Sequence, residues 1–261
     1  MISGAEAHRI GRALESVSDW ASEVLVVLNE EVQDGTEQIC EARGAKVFRE
    51  KWKGYAAQKN SAVEKASCPW ILALDADEEV PPALWKEIAE AIENAELNRA
   101  YTAFEFPRCS YYCGRWIRHG DWYPDRVSRL WRKGSARYVG PEIHERLEVQ
   151  GAIGRLKSDL LHYSNESINW QLEKIGRYAD PFVRQCLANG RKASWLDLTA
   201  RPFWKFVRAY FFRLGFLDGW PGYYIAWLGA FSTLTRYTKV REALIKTPSK
   251  QTFGAAEDAK V

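Results

Sequence analysis

The chain has no marked excess of either charge, no cysteine framework and no apolar run of full membrane-spanning length, and each shortage removes a class of protein. Its 37 basic and 34 acidic side chains leave a formal net charge of +3, so charge gives no reason to expect a nucleic-acid partner. The five cysteines, Cys40, Cys68, Cys109, Cys113 and Cys186, are odd in number and scattered. That argues against a disulfide scaffold and for a reducing compartment. Cys109 and Cys113 stand four apart, but no second Cys/His pair at zinc-ribbon spacing follows. The opening Met1-Ile2-Ser3-Gly4-Ala5-Glu6 lacks both the basic start and the apolar stretch of a secretory signal, so the expected location is cytoplasmic. The uncharged run Gly219 to Thr235 is 17 residues long and interrupted by Pro221 and Gly222, which is short for a membrane span.

What the chain has is aromatic side chains: 12 Trp, 12 Tyr and 11 Phe, concentrated after residue 100. Dense aromatics outside an obvious core suit a surface for sugars, lipids or a partner. Residues 201–241 carry 13 of them, with seven basic side chains and the single acid Asp218. A basic, aromatic, amphipathic segment lying in a membrane interface fits that composition, with an ordinary packed helical tail as the alternative.

The most informative stretch is Trp70-Ile71-Leu72-Ala73-Leu74-Asp75-Ala76-Asp77-Glu78-Glu79-Val80, an apolar run ending in a cluster of acids. It reads as a buried strand delivering carboxylates to a sheet edge, where open α/β sheets bind ligands and where a hard divalent cation can hold a diphosphate. Around it, strand and helix alternate. Ile10, Leu14 and Val17 share a helical face, and Val24 to Leu28 is a continuous apolar strand of the kind covered on both faces. Asp34-Gly35-Thr36 opens a helix to about Arg43, Ala45 to Phe48 is a strand, and Ala56 to Ala66 is a helix ended by Cys68-Pro69. Pro81-Pro82 starts a helix over Ala83 to Ala95. The expected class is therefore α/β with a mainly parallel, doubly covered sheet. Tyr101 to Arg108 reads as one more strand, and 111–148, without a clear period, as a functional loop region.

Several motifs in this order carry a resemblance. They are Asp34-Gly35-Thr36; Gly54-Tyr55-Ala56-Ala57-Gln58-Lys59-Asn60; Leu74-Asp75-Ala76-Asp77-Glu78; Trp122-Tyr123-Pro124-Asp125 followed by Arg129-Leu130-Trp131-Arg132 and His144-Glu145; and Gly215-Phe216-Leu217-Asp218-Gly219. From its first residues to about 242 the chain resembles the family 2 inverting glycosyltransferases, in particular the subgroup similar to lipopolysaccharide-core β-glucosyltransferases. The resemblance implies a Rossmann-like A-type glycosyltransferase fold with an aromatic-rich helical C-terminal extension. The expected division is 1–200 catalytic, 201–247 membrane-interfacial tail and 248–261 flexible terminus.

The resemblance also implies a nucleotide-sugar donor, a UDP-sugar first, and a glycan or glycolipid acceptor at the cytoplasmic membrane surface. Asp77 is then the principal ligand of Mg²⁺ or Mn²⁺, with Asp75 supporting the ribose or the metal. Gln58, Lys59 and Asn60 fall where the family contacts the nucleotide. Arg129 and Arg132 are candidate phosphate contacts. Glu145 is the candidate general base, since inversion needs one carboxylate to deprotonate the acceptor hydroxyl, and His144 is the candidate to orient it or touch the donor. His162, in Leu161-His162-Tyr163-Ser164, is motif-like without an assigned role, and His119 belongs to loop packing or the acceptor surface.

Two departures from the family pattern stand out. Family members usually carry an Asp after the strand that here ends in Val26-Val27; this chain has Leu28-Asn29-Glu30, leaving Asn29 or Glu30 for contact with the base. The family's first strand is also expected to begin upstream, with Met1 an internal methionine. The competing readings are a catalytically silent nucleotide- or carbohydrate-binding scaffold and a nucleotidyltransferase.

Overall fold

The computed structural model describes residues 1–140, 145–164 and 167–246. These fall into two units, residues up to 118 with 122–164, and 119–121 with 167–246.

The first unit opens as the alternation predicts: β1 (Ile2–Ser3), α1 (Ile10–Ser18), β2 (Leu25–Asn29), α2 (Thr36–Ala42), β3 (Lys46–Glu50), α3 (Tyr55–Lys65), β4 (Trp70–Leu72), β5 (Glu78–Glu79) and α4 (Pro82–Asn98). On α1 the buried residues are Ile10, Ala13, Leu14 and Val17, the face given by the helical spacing. Burying each large aliphatic side chain contributes about 1.5–3 kcal/mol. β1, β2 and β3 form a parallel sheet, and Val26, Val27 and Leu28 are fully buried, as a doubly covered strand requires. Among the described residues β1 pairs with Val27 and Leu28 of β2. Beside it a cavity of about 480 Å³ runs between Val24 and Leu25 on one side and Trp70, Leu72 and Leu74 on the other.

The rest of this unit corrects two expectations. After β6 (Ala103–Tyr112) the stretch expected to be loop is largely sheet: β7 (Arg115–Ile117), β8 (Asp125–Arg132), β9 (Ala136–Val139) and β10 (Arg146–Val149), followed by β11 (Ile153–Arg155) and β12 (Leu160–His162). The larger sheet has the order β4-β8-β6-β12-β5, with β7 and β11 also on β6. It is mixed, not mainly parallel: β8 runs antiparallel to both β4 and β6, and β5 antiparallel to β12, while β11 and β12 run parallel to β6. β7 is antiparallel to β6 as well, because Cys113-Gly114, both at positive φ, join the two in a tight turn and such a turn can only join antiparallel strands.

The second unit is helical: α5 (Ile168–Ala188), α6 (Trp195–Leu198), α7 (Ala200–Val207), a π turn (Arg208–Phe212), a 3₁₀ turn (Gly215–Asp218) and α8 (Gly219–Lys246). α6 begins with a capping box in which Ser194 and Asp197 satisfy each other's backbone amides. The compositional change at 201 falls inside this unit, because Val183 and Cys186 of α5 share a core with Tyr237 and Val240 of α8. Residues 119–121 join it through His119, whose amide and Nδ1 both meet the buried Asp218 carboxylate, at 2.8 and 3.1 Å. Among the described residues no helix is long and apolar enough to cross a membrane.

Candidate active site

β4 leads into the turn Asp75-Ala76-Asp77-Glu78, and the third acid of the cluster is what holds the turn. Glu78 is buried; its Oε2 accepts the Asp75 amide at 3.0 Å, while its own amide donates to the Asp75 carbonyl at 3.1 Å. Its Oε1 accepts from Arg129 at 2.9 Å and from Arg108 at 3.3 Å. The Asp77 carbonyl accepts the Tyr163 amide at 2.8 Å, tying the far side of the turn to the end of β12. A buried carboxylate with charged partners and a backbone donor is satisfied, so Asp75 and Asp77 are free to present their side chains from a fixed backbone.

The two presented carboxylates have different partners. Asp75 is ion-paired with Arg129 and lies 3.7 Å from Lys59 Nζ. Asp77 Oδ2 lies 3.3 Å from Arg9 Nη1 and 3.5 Å from His162 Nε2. His162 is oriented from its other side, where Nδ1 meets Ser110 Oγ at 3.2 Å. Burial opposes ionisation of Asp75, but Arg129 and Lys59 hold its pKa well below the ordinary value. At Asp77 burial is likewise outweighed, by His162 and Arg9, and the pKa is lowered. Both groups are therefore carboxylates at neutral pH.

Lys59 connects this turn to the candidate base. It stands near the start of α3 with its side chain 13 % exposed, and its Nζ lies 3.2 Å from Glu145 Oε1. Asp75, Lys59 and Glu145 thus meet at one place. His144 lies outside the described residues.

Four other sequence candidates sit elsewhere or have other duties. Asn60 is consumed by β9, donating to the Tyr138 carbonyl and accepting its amide, both at 2.9 Å. Gln58 is completely buried, and neither amide atom has a hydrogen-bond partner among the described residues. Arg129 is buried between Asp75 and Glu78 and serves the turn, not an exposed phosphate position. Arg132 pairs with Glu96 at 2.9 Å and lies over the Trp70 ring, so it is not brought to the carboxylates. Residues that sequence reasoning missed are Arg9 and Arg108, which had no motif to mark them, while Glu78 stood inside the acidic motif without being given a role. His162 carried a visible signal, a histidine closing an apolar strand, yet its partner Asp77 is remote in sequence.

Among the described residues no group of three or more His, Cys, Asp and Glu is arranged to hold a metal ion. Asp77 and His162 offer one oxygen and one nitrogen donor, and Asp75 is turned to Arg129 and Lys59. Such a sparse set does not suit a closed structural site. The Asp77 carboxylate is the donor that suits Mg²⁺ or Mn²⁺, hard cations that complete their coordination from waters and substrate phosphates, whereas the His162 nitrogen is not a donor they prefer.

A family model described as Glycosyl transferase family 2 matches residues 3–155. An uncharacterized glycosyltransferase of Rickettsia felis is 31% identical over 262 residues, spanning 95% of this chain and 90% of that protein. The lipopolysaccharide core biosynthesis glycosyltransferase LpsC of Rhizobium meliloti is 26% identical, spanning 94% of this chain and 92% of that protein. Among solved structures, S. aureus TarS 1-349 in complex with UDP-GlcNAc aligns with a TM-score of 0.47 and 14% identity, over 94% of this chain and 90% of that one. With the family model covering more than half of its length, this chain belongs to glycosyl transferase family 2 and is a glycosyltransferase.

Proposed function

We propose that the chain transfers a hexose, glucose first, from a UDP-sugar to a sugar acceptor on a lipid-linked glycan of the lipopolysaccharide-core kind, with inversion at the anomeric carbon. The carrying observation is the meeting of Asp75, Lys59 and Glu145, with Asp77 on the same turn as Asp75 and His162 of β12 beside Asp77. The acceptor class is suggested by LpsC, and the cytoplasmic membrane surface as the place of reaction by the aromatic, basic second unit.

In this reading Asp77, with His162 beside it, would hold Mg²⁺ or Mn²⁺, and the bound ion would neutralise the charge developing on the departing diphosphate. Lys59 Nζ turns from Glu145 toward the diphosphate, adding a charge-assisted hydrogen bond. That movement frees the Glu145 carboxylate, which accepts the proton of the acceptor hydroxyl as its oxygen attacks the anomeric carbon. The carbon–oxygen bond to the diphosphate breaks on the opposite face, and one carboxylate is sufficient because the leaving group is already a stabilised anion. Arg129 and Glu78 keep the turn in place and touch no substrate.

The test is UDP release from a panel of UDP-sugars with Mn²⁺, for the chain and its Asp77→Ala and Glu145→Gln variants. Release from one donor, abolished by both substitutions, is expected and names the sugar. Release of pyrophosphate instead indicates a nucleotidyltransferase, and a chain that binds neither nucleotide nor metal is a scaffold.

A further inference from the structure

Helix α7 and the turns after it present an unusual surface for a helix of a water-soluble protein. Pro202 and Ala209 are its buried line, yet Phe203, Trp204, Phe211 and Phe212 are 69%, 54%, 54% and 69% exposed. These rings belong to a larger apolar area. Phe206 packs on Tyr210 and on Trp227 of α8, with ring centroids 5.4 and 4.5 Å apart, and Trp204 packs on Phe212 at 5.5 Å. Trp227 and the neighbouring Trp220 are themselves 50% and 60% exposed. Contiguous exposed aromatics on this scale mark a surface that is covered in use.

The charge beside the rings says by what. Residues 200–217 contain Arg201, Lys205, Arg208 and Arg213 and no acid. Lys205, Arg208 and Arg213 converge on one carboxylate, Asp121, at 2.6, 3.1 and 3.0 Å. One negative charge cannot balance three positive ones, so the cluster keeps an excess of two. On helical spacing Lys205 lies at the edge of the arc of exposed rings and Arg208 within it, between Trp204 and Phe212. Rings that enter the acyl boundary with cations held at headgroup level form the pattern of an interfacial helix.

We propose that this face of the second unit binds the surface of a bilayer containing anionic phospholipid. The rings supply apolar burial, and Lys205, Arg208 and Arg213 take headgroup phosphates as additional partners beside Asp121. The proposal deepens the reading of a membrane-presented acceptor but does not rest on the transfer chemistry, and the two are tested by separate readouts.

The experiment is sedimentation of the full chain with vesicles of phosphatidylcholine alone and with about 30 mol per cent phosphatidylglycerol, at low and high salt. Binding is expected to rise with phosphatidylglycerol and to fall with salt. Arg208→Gln/Arg213→Gln should lose about five- to tenfold per cation in the partition coefficient for anionic vesicles, and Arg208→Lys/Arg213→Lys should recover most of it. Phe203→Ser/Phe212→Ser, at positions already mostly in water, should lose binding to both vesicles while UDP release in solution is unchanged. Equal binding to both lipids, or binding indifferent to the Phe pair, overturns the proposal. So does a chain that sediments as a dimer without lipid and becomes monomeric in Phe203→Ser/Phe212→Ser, because the face is then covered by a second copy.

Discussion

Arg129 shows how far a side chain's duty depends on partners distant in sequence. Its guanidinium lies between Asp75 and Glu78, and burial, which would lower its pKa, is overcome by those two carboxylates, which raise it well above the ordinary value. Arg129→Met therefore leaves the buried Glu78 with less compensation, and removing one partner of a buried pair costs about 3–5 kcal/mol. Urea denaturation should show that loss in the midpoint, with Arg129→Lys milder. Lys59 offers the contrasting case. It serves Asp75 and Glu145 from a largely buried position, and Lys59→Ala should cut kcat/KM about 10- to 100-fold, the worth of a charge-assisted hydrogen bond. Steady-state kinetics across donor concentrations checks it. Asp75, Asp77, Lys59 and Glu145 were legible because short motifs carry them. The structural use of Arg129 and Asn60 was not, because each is defined by a partner that only the fold supplies: Glu78 for one, the Tyr138 backbone for the other.

At the scale of elements, α1 was readable because one face repeats at helical spacing, and the other helices of the first unit because start and stop signals such as Asp34-Gly35-Thr36, Cys68-Pro69 and Pro81-Pro82 bound them. The strands from β7 to β10 were not, since Trp, Tyr and Arg side chains there are amphipathic and blur the inside-outside alternation by which a strand is recognised. Pro221 and Gly222 misled in another way: they looked like interruptions of an apolar run, yet both are buried in the first turns of α8. Gly222 is there for closeness. A Cβ on it would stand 2.0 Å from the Gly215 carbonyl oxygen and 2.9 Å from the Asp218 side chain, so the 3₁₀ turn would have to move. Gly222→Ala is expected to cost about 1–3 kcal/mol or more, as for overpacking elsewhere. Gly229, where the nearest atoms to an added Cβ belong to the flexible Lys205 side chain at 3.5 Å, should accept alanine with little loss. Thermal unfolding of both variants, followed by circular dichroism, separates close packing from a general intolerance of α8.

For the whole molecule, acid sensitivity distinguishes the two units. Asp75 and Asp77 in the first and Asp121 in the second have lowered pKa values. In each, burial opposes ionisation and is outweighed by cations: Arg129 and Lys59, His162 and Arg9, and Lys205 with Arg208 and Arg213. A carboxyl whose folded pKa lies below its unfolded value contributes stability that is fully present above the unfolded value, about 4, and is lost as pH falls through the folded one. Both units should therefore lose stability below about pH 4, while these groups leave it flat from about pH 5 upward. Asp121→Asn divides the effect. It leaves Lys205, Arg208 and Arg213 facing one another without a counter-charge, so it should destabilise the second unit at neutral pH and weaken that unit's dependence on acid. The cores are separate, with Leu84, Phe106 and Leu130 in one cluster and Val183, Tyr237 and Val240 in another. Hydrogen exchange read by peptide should accordingly show faster opening of α7 and α8 in Asp121→Asn at pH 7, with β6 and β8 unchanged. Equal acceleration in both would mean that the units open as one cooperative body and that the Asp121 cluster stabilises the whole chain.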